Sequence, residues 1–170
     1  MVTASRHASI AGVIRRLTPD EIELLKELRL SALADAPRAF ASTYEQAAVV
    51  ADDDWRFLLR PECHPTFVWE DERSTQGMAV GGQDDAMTDV IHMFAMWVRP
   101  SARGGGVADA LVAGVLEWAR EQSTRFVRLD VTSDNERAER LYARHGFVRT
   151  GRSRLRERDG LLENEMQAAL

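Results

Sequence analysis

Hydrophobic positions along the chain switch between a helical period and a strand period, and the switches mark out the elements. Residues 13–17 read as a first strand. Thr18, Pro19, Asp20 and Glu21 have the form of a helix start, with Thr18 as N-cap, Pro19 at the first helical position and Glu21 three residues after the cap. Ile22, Leu25, Leu28 and Ala32 then recur at helical spacing until Pro37 stops them. A second helical region starts near Thr43. It is predicted to break at residues 52–54, before a short helix carrying Trp55, Phe57, Leu58 and Leu59 that ends at Pro61.

Residues 66–70 and 77–82 read as strands joined by a polar turn near Arg73 and Ser74. Residues 84–88 read as a turn into a long strand from about Val90, in which residues 93–98 are all apolar, as in a strand covered on both faces. On this strand His92, Phe94 and Met96 share one side by alternation. Pro100 ends the strand, Gly104, Gly105 and Gly106 follow, and Val107, Leu111, Val112, Val115 and Leu116 give a helix to about Gln122. Residues 126–131 alternate as a strand. Ser133 or Asp134 is expected to cap a further helix with Ala138, Leu141 and Tyr142 facing inward and Gly146 at its C-terminal end. Residues 147–150 and 163–168, with a turn near Asp159 and Gly160, would close the sheet. The order predicts an α/β (α+β) chain with a mixed, twisted sheet of about seven strands and helices on both faces.

The 170 residues are enough for one domain, read as residues 12–170 after a flexible tail at 1–11. Net charge is −5, with 22 basic and 27 acidic side chains, which argues against wholesale nucleic-acid binding. No apolar run is long enough to span a bilayer and the N-terminus lacks a secretory apolar block, so no membrane partner and a cytoplasmic location are expected. The single cysteine, Cys63, beside His64, completes no metal site, and no metal is expected.

The strand–glycine loop–helix segment is the candidate chemistry. Glycines let a ligand approach the backbone, and a helix start supplies unpaired N–H groups and a positive dipole end, so phosphate is the natural guest. A Walker loop needs Gly-Lys followed by Ser or Thr, but Val107 and Ala108 follow Gly106. A Rossmann loop follows the first strand and needs a third small residue where Asp109 stands. The third reading fits. Arg103, Gly104, Gly105, Gly106, Val107 and Ala108 resemble the Q/R-x-x-G-x-G/A signature of the GNAT acetyltransferase superfamily. Downstream, Asn135, Ala138, Leu141, Tyr142, Gly146 and Phe147 are similar to that family's N-x-x-A-x-x-L-Y-x-x-x-G-F motif, at the family's usual separation. The resemblance covers roughly residues 12–168.

The resemblance implies the GNAT acyl-CoA N-acyltransferase fold and transfer of the acetyl group of acetyl-CoA to a primary amine, either a small molecule or a peptide N-terminus. The backbone of Met96, Trp97 and Val98 would pair with the pantetheine arm where the long strand splays from its neighbour. N–H groups from Arg103, Gly104, Gly105, Gly106, Val107 and Ala108 would hold the pyrophosphate. Asn135 would face the pantetheine or the reacting end, and Tyr142 would sit by the thioester sulfur as general acid. Gly105 stands where a polar or basic residue is more usual. Many members dimerise, so a homodimer is allowed. A non-catalytic acyl-CoA-binding regulator on the same fold is the alternative, and a longer acyl group or an oxygen acceptor a further one.

An alkyl amine with a pKa of ~10.4 must shed a proton at a cost of about 4.6 kcal/mol at pH 7, so a base is needed. His92 is the candidate, with Glu70 and Asp89 as weaker ones, while Asp130 and Thr132 read as structural. The family's acceptor pocket maps to residues 40–55, 70–75 and 152–163, where acidic groups would favour a cationic amine.

Overall fold

The computed structural model describes residues 12–60, 62–84 and 87–170. The expected tail at 1–11, the expected helix end at Pro61 and the middle of the expected turn at 84–88 lie outside the described residues. The chain forms a seven-stranded mixed sheet in the order β1-β2-β3-β4-β5-β7-β6. The strands are β1 (Gly12–Arg16), β2 (Thr66–Asp71), β3 (Thr75–Asp84), β4 (Met87–Val98), β5 (Phe126–Thr132), β6 (Val148–Leu155) and β7 (Leu162–Ala169). The helices are α1 (Ile22–Asp35), α2 (Tyr44–Ala48), α3 (Asp52–Leu58), α4 (Val107–Glu121) and α5 (Glu136–Arg144). All neighbours in the sheet are antiparallel except β4 and β5, which are parallel and linked through α4.

Two cores flank the sheet. Leu111, Val115 and Trp118 of α4 pack with Phe67, Ile91, Met93, Val127, Leu129 and Met166 on one face. On the other, Leu25, Leu28 and Ala32 of α1 and Trp55 of α3 pack with Val68, Met78 and Trp97. Val68 lies between Phe67 and Trp69 in sequence yet belongs to the opposite core, as strand alternation requires.

Four local expectations need correction. The Thr18–Glu21 segment does not start the helix. α1 begins at Ile22, with Glu21 at the cap position and no side-chain cap bond. The Glu21 carboxylate instead accepts from the Thr18 N–H at 2.8 Å and from Arg15 at 2.7 and 2.8 Å, so the segment closes as a turn. The expected break between two helices is present, but it falls at residues 49–51, and Asp52, Asp53 and Asp54 form the first turn of α3, where carboxylates meet the positive end of the helix. Asn135, not Ser133 or Asp134, caps α5, with its side-chain oxygen accepting from the Ala138 N–H at 3.2 Å. All three are cap formers, and composition could not choose between them. β6 runs to Leu155, well past residue 150, although its register against β7 shifts between Arg149 and Ser153.

Other expectations stand. Thr43 caps α2 in a reciprocal box with Gln46, and Gly146 takes the left-handed turn after α5 at φ +84°.

Candidate functional site

β4 and β5 pair only from Val90↔Phe126 through His92↔Arg128 and then part. A cavity of about 830 Å³ opens in the fork, lined on one side by residues 92–98 and on the other by Leu129, Asp130, Val131 and Thr132. The expected splay is therefore present, and Met96, Trp97 and Val98 line it.

The geometry of β4 carries a second consequence. Met78 pairs with Trp97, but Val80 pairs with Phe94, so β4 holds one more residue than β3 over this stretch. The extra residue is a bulge, and Ala95 takes φ +53° to make it. The bulge reverses the alternation. His92 is flanked by Ile91 and Met93 of the α4-side core, so it points to the α1 side. Beyond the bulge Ala95 and Trp97 pack on the α1 side, whereas Met96 and Val98 pack on the α4 side. Met96 thus does not share the side of His92 and Phe94. A run of apolar residues carries no parity, so the slip left no trace in the sequence.

The glycine loop lies at one mouth of this cavity. A short turn at Pro100–Ala102 leads into it, and Gly106 caps α4 in the left-handed region at φ +86°, with Gly104 at φ +81°. A Cβ added at Gly104 or Gly106 would meet nothing within 4 Å, so the loop is open to a guest. Ala110 donates to the Gly106 carbonyl at 3.0 Å, closing the first turn of α4. The first N–H groups of a helix have no partner within the helix, and Gly104, Gly106, Ala108 and Asp109 of this segment line the cavity.

Arg103 is not among the free donors. Its N–H approaches the Pro100 carbonyl at 3.4 Å, its Nε donates to the Val98 carbonyl at 3.0 Å, and its guanidinium binds Asp35. Asp35 also accepts from Trp97 Nε1 at 2.9 Å. Burial works against its charge, but Trp97 and Arg103 outweigh this and hold the carboxyl below its usual range. Arg103 is a strut that fixes the loop to the end of α1. Gly105 and the buried Val107 side chain do not line the cavity, and only their backbone can serve it, whereas Ala108 does line it.

Asn135 and Tyr142 reach the same cavity from α5. The Asn135 side chain is committed to the cap, so its contribution there is limited to its remaining amide edge. Tyr142 is buried, tilted against Phe147 at 5.8 Å, and burial pushes its hydroxyl well above the usual value. It therefore holds its proton throughout the neutral range.

His92 lines the other end of the fork beside Asp130, which sequence reasoning read as structural. Burial, with Glu163 and Glu165 adding to it, pushes the Asp130 carboxyl up against the pull of Arg154 and His92. The weaker base candidates are elsewhere. Glu70 is held by Arg15 at 2.7 Å and Asp89 faces Arg125 at 3.8 Å, and neither lines the cavity. Of the stretches expected to form the acceptor pocket, residues 70–75 do not reach the cavity, whereas Phe40, Ser42, Arg154 and Glu163 do. Arg29 also lines it and was missed, because one arginine on an amphipathic helix carries no signal. Of the α5 arginines, Arg140 is tied to Glu136 at 3.0 Å and Arg144 to Asp109 at 2.9 Å. Arg137 lines the mouth.

Among the described residues no helix is long and apolar enough to cross a membrane, and no group of metal-ligating side chains gathers.

Comparison with known proteins fits this geometry. A mycothiol acetyltransferase of Actinosynnema mirum is 33% identical over 126 residues, covering 66% of this chain and 38% of its own length. N-acetyltransferase 8B of Homo sapiens is 40% identical over 63 residues, covering 37% of this chain and 28% of its own. The chain thus spans between about a quarter and three fifths of the curated relatives it matches. Among solved structures, a Salmonella typhimurium protein determined with its cofactor acetyl-CoA superposes with a TM-score of 0.77 at 20% identity, covering 94% of each chain. Ard1 from Thermoplasma volcanium gives 0.72 at 27% identity, covering 95% of this chain and 99% of its own. The model of the acetyltransferase (GNAT) family matches residues 27–147, which takes in the fork, the glycine loop and the α5 motif together. The chain belongs to the GNAT family of acetyltransferases.

Proposed function

We propose that the protein transfers the acetyl group of acetyl-CoA to a primary amine, of a small molecule or a peptide N-terminus. The observation that carries the reading is the cavity in the β4–β5 fork, with a helix start suited to an anion at one end and His92 and Tyr142 on its walls. The pyrophosphate of acetyl-CoA fits the loop, and hydrogen bonds from amides to a charged group contribute about 1.5–3 kcal/mol each. The pantetheine arm fits along the edge of β4 beyond His92, where the pairing with β5 has ended. A backbone N–H on this edge is suited to hold the oxyanion that forms on the thioester carbonyl.

The amine nitrogen attacks the thioester carbon. The C–N bond forms, the C–S bond breaks, and the products are an amide and the thiol of CoA. The proton lost by the amine goes to His92, directly or through one water. The proton gained by the thiolate comes from Tyr142, which burial keeps protonated. Release of free thiol from acetyl-CoA, measured against a panel of amines, tests the reading. Thiol release that depends on an added amine is expected. Tight binding of acetyl-CoA without thiol release for any amine would replace the enzyme by an acyl-CoA-binding regulator.

A further inference from the structure

The cavity wall holds a cation whose charge no described carboxylate answers. Arg29, from the third turn of α1, lies in the cavity wall with Phe40, Ser42 and His92. Its NH2 donates to Ser42 Oγ at 2.7 Å, and its guanidinium covers the Phe40 ring, 4.8 Å from the centroid. Its NH1 is shut off from solvent and has no hydrogen-bond partner among the described residues. No carboxylate among the described residues forms an ion pair with it. Burial accordingly pushes its pKa down, with no anion to restore it.

Three other cations of the cavity wall are answered: Arg103 by Asp35, Arg144 by Asp109, and Arg154 by Asp130 and Glu163. A ring face and one neutral hydroxyl compensate only part of the cost of dehydrating a guanidinium, and an orphaned N–H adds to that cost. A planar fork of donors matches a carboxylate, which would accept two parallel bonds. In the same cavity, Asp130 and His92 offer the opposite preference, an acceptor-rich place for the amine. The two preferences together fit a molecule that is cationic at one end and anionic at the other.

We infer that the acceptor is an amine that also carries a carboxylate, and that Arg29 is its carboxylate clamp. This rests on the N-acetyltransferase reading, and it narrows the acceptor from amines in general to amino-acid-like ones. The amine lies toward His92 and Asp130, the carboxylate accepts from the part of the Arg29 guanidinium that borders the cavity, and Ser42 holds the guanidinium in place.

The test uses two readouts on the full chain. In the first, N-acetyl amino acids and their matched methylamides are titrated calorimetrically into the CoA-saturated protein. In the second, thiol release from acetyl-CoA is measured with each amino acid, its amide and its decarboxylated amine. The acid should bind and react about 10- to 100-fold better than the amide, the worth of one charge-assisted pair. Arg29→Gln, which can keep the bond to Ser42, should bring the acid-to-amide ratio to within about twofold, and Arg29→Lys should leave it in between. A scaffolding role for Arg29 would weaken acid and amide together and leave the ratio unchanged, which overturns the clamp. So would a wild-type protein that treats acid and amide alike. If no amine releases thiol, the enzyme reading fails, and the clamp is then judged by the binding ratio alone. If Arg29→Gln does not fold, the Arg29→Lys ratio decides.

Discussion

The two ends of the cavity are made of different material. At the proposed cofactor end the groups on offer are backbone N–H donors of a glycine loop and a helix start, and the Arg103 side chain is tied to Val98 and Asp35. At the proposed acceptor end they are side chains: Arg29, His92, Asp130 and Tyr142 line the cavity from α1, β4, β5 and α5. A backbone site is robust to the identity of most residues but intolerant of a Cβ where φ is positive. A side-chain site is the reverse. Each substitution there changes one function and leaves the frame intact. The first kind of site can be common to a family that shares a cofactor, and the second can differ from member to member.

The largest effect expected from the side-chain end is on turnover. Tyr142→Phe should lower kcat by about 10²–10⁴-fold, the usual worth of a general acid, while acetyl-CoA affinity changes by less than about threefold. Stopped-flow thiol release with a parallel binding titration checks it, and unchanged turnover removes Tyr142 as the acid. From the backbone end, Gly106→Val should weaken acetyl-CoA by about 10- to 100-fold, because it strains a φ of +86° and crowds the amides. The same change should leave kcat at saturating acetyl-CoA much less affected. A variant that binds normally would break the contrast between the two ends. His92→Ala should lower kcat/KM by about 10²–10⁴-fold, the usual worth of a general base, with the loss read from initial rates of thiol release. If the rate is unchanged, the base lies elsewhere, and Asp130 is the next group to replace.

The smallest effect is structural and lies outside the cavity. Arg15 binds both Glu21 and Glu70 and holds the Glu21 carboxyl at about 2, against a usual value of 4.5. A depressed folded-state pKa stabilises the fold above the unfolded value and loses that contribution as pH falls through the folded one. Glu21→Gln should therefore cost about 1 kcal/mol or less at pH 7 and flatten the acid-induced loss between about pH 4.5 and 2. Thermal melts across that range would show it, and a wild-type profile with no slope there would contradict it.

The same contrast explains what the sequence could disclose. The sheet, the α4 helix and the glycine loop are local: their signals lie within a few residues and follow from periodicity, a proline and three glycines. The cofactor end was therefore legible, apart from Arg103, whose guanidinium turns to Asp35 on an element far away in the chain. The acceptor end was legible only in part: His92, Tyr142 and the stretches that carry Phe40 and Glu163 were picked out, whereas Arg29 and Asp130 were not, because they share no spacing with the others and meet them only where β4 and β5 part. Asp130 looked structural because a carboxylate on an alternating strand looks solvated, and only the sheet order puts it beside His92. The bulge at Ala95 was invisible for a different reason. Every residue around it is apolar, so exchanging the two faces changed no pattern.

The central claim is that the loop's own amides, and not arginine side chains, receive the cofactor's pyrophosphate. Amide NMR spectra of the 15N-labelled protein, recorded during a titration with acetyl-CoA, test it directly. The account predicts that the amide signals of residues 104–109 move first and furthest downfield, with the Arg103 Nε signal nearly still. Loop amides that stay put while arginine side-chain signals shift would contradict it.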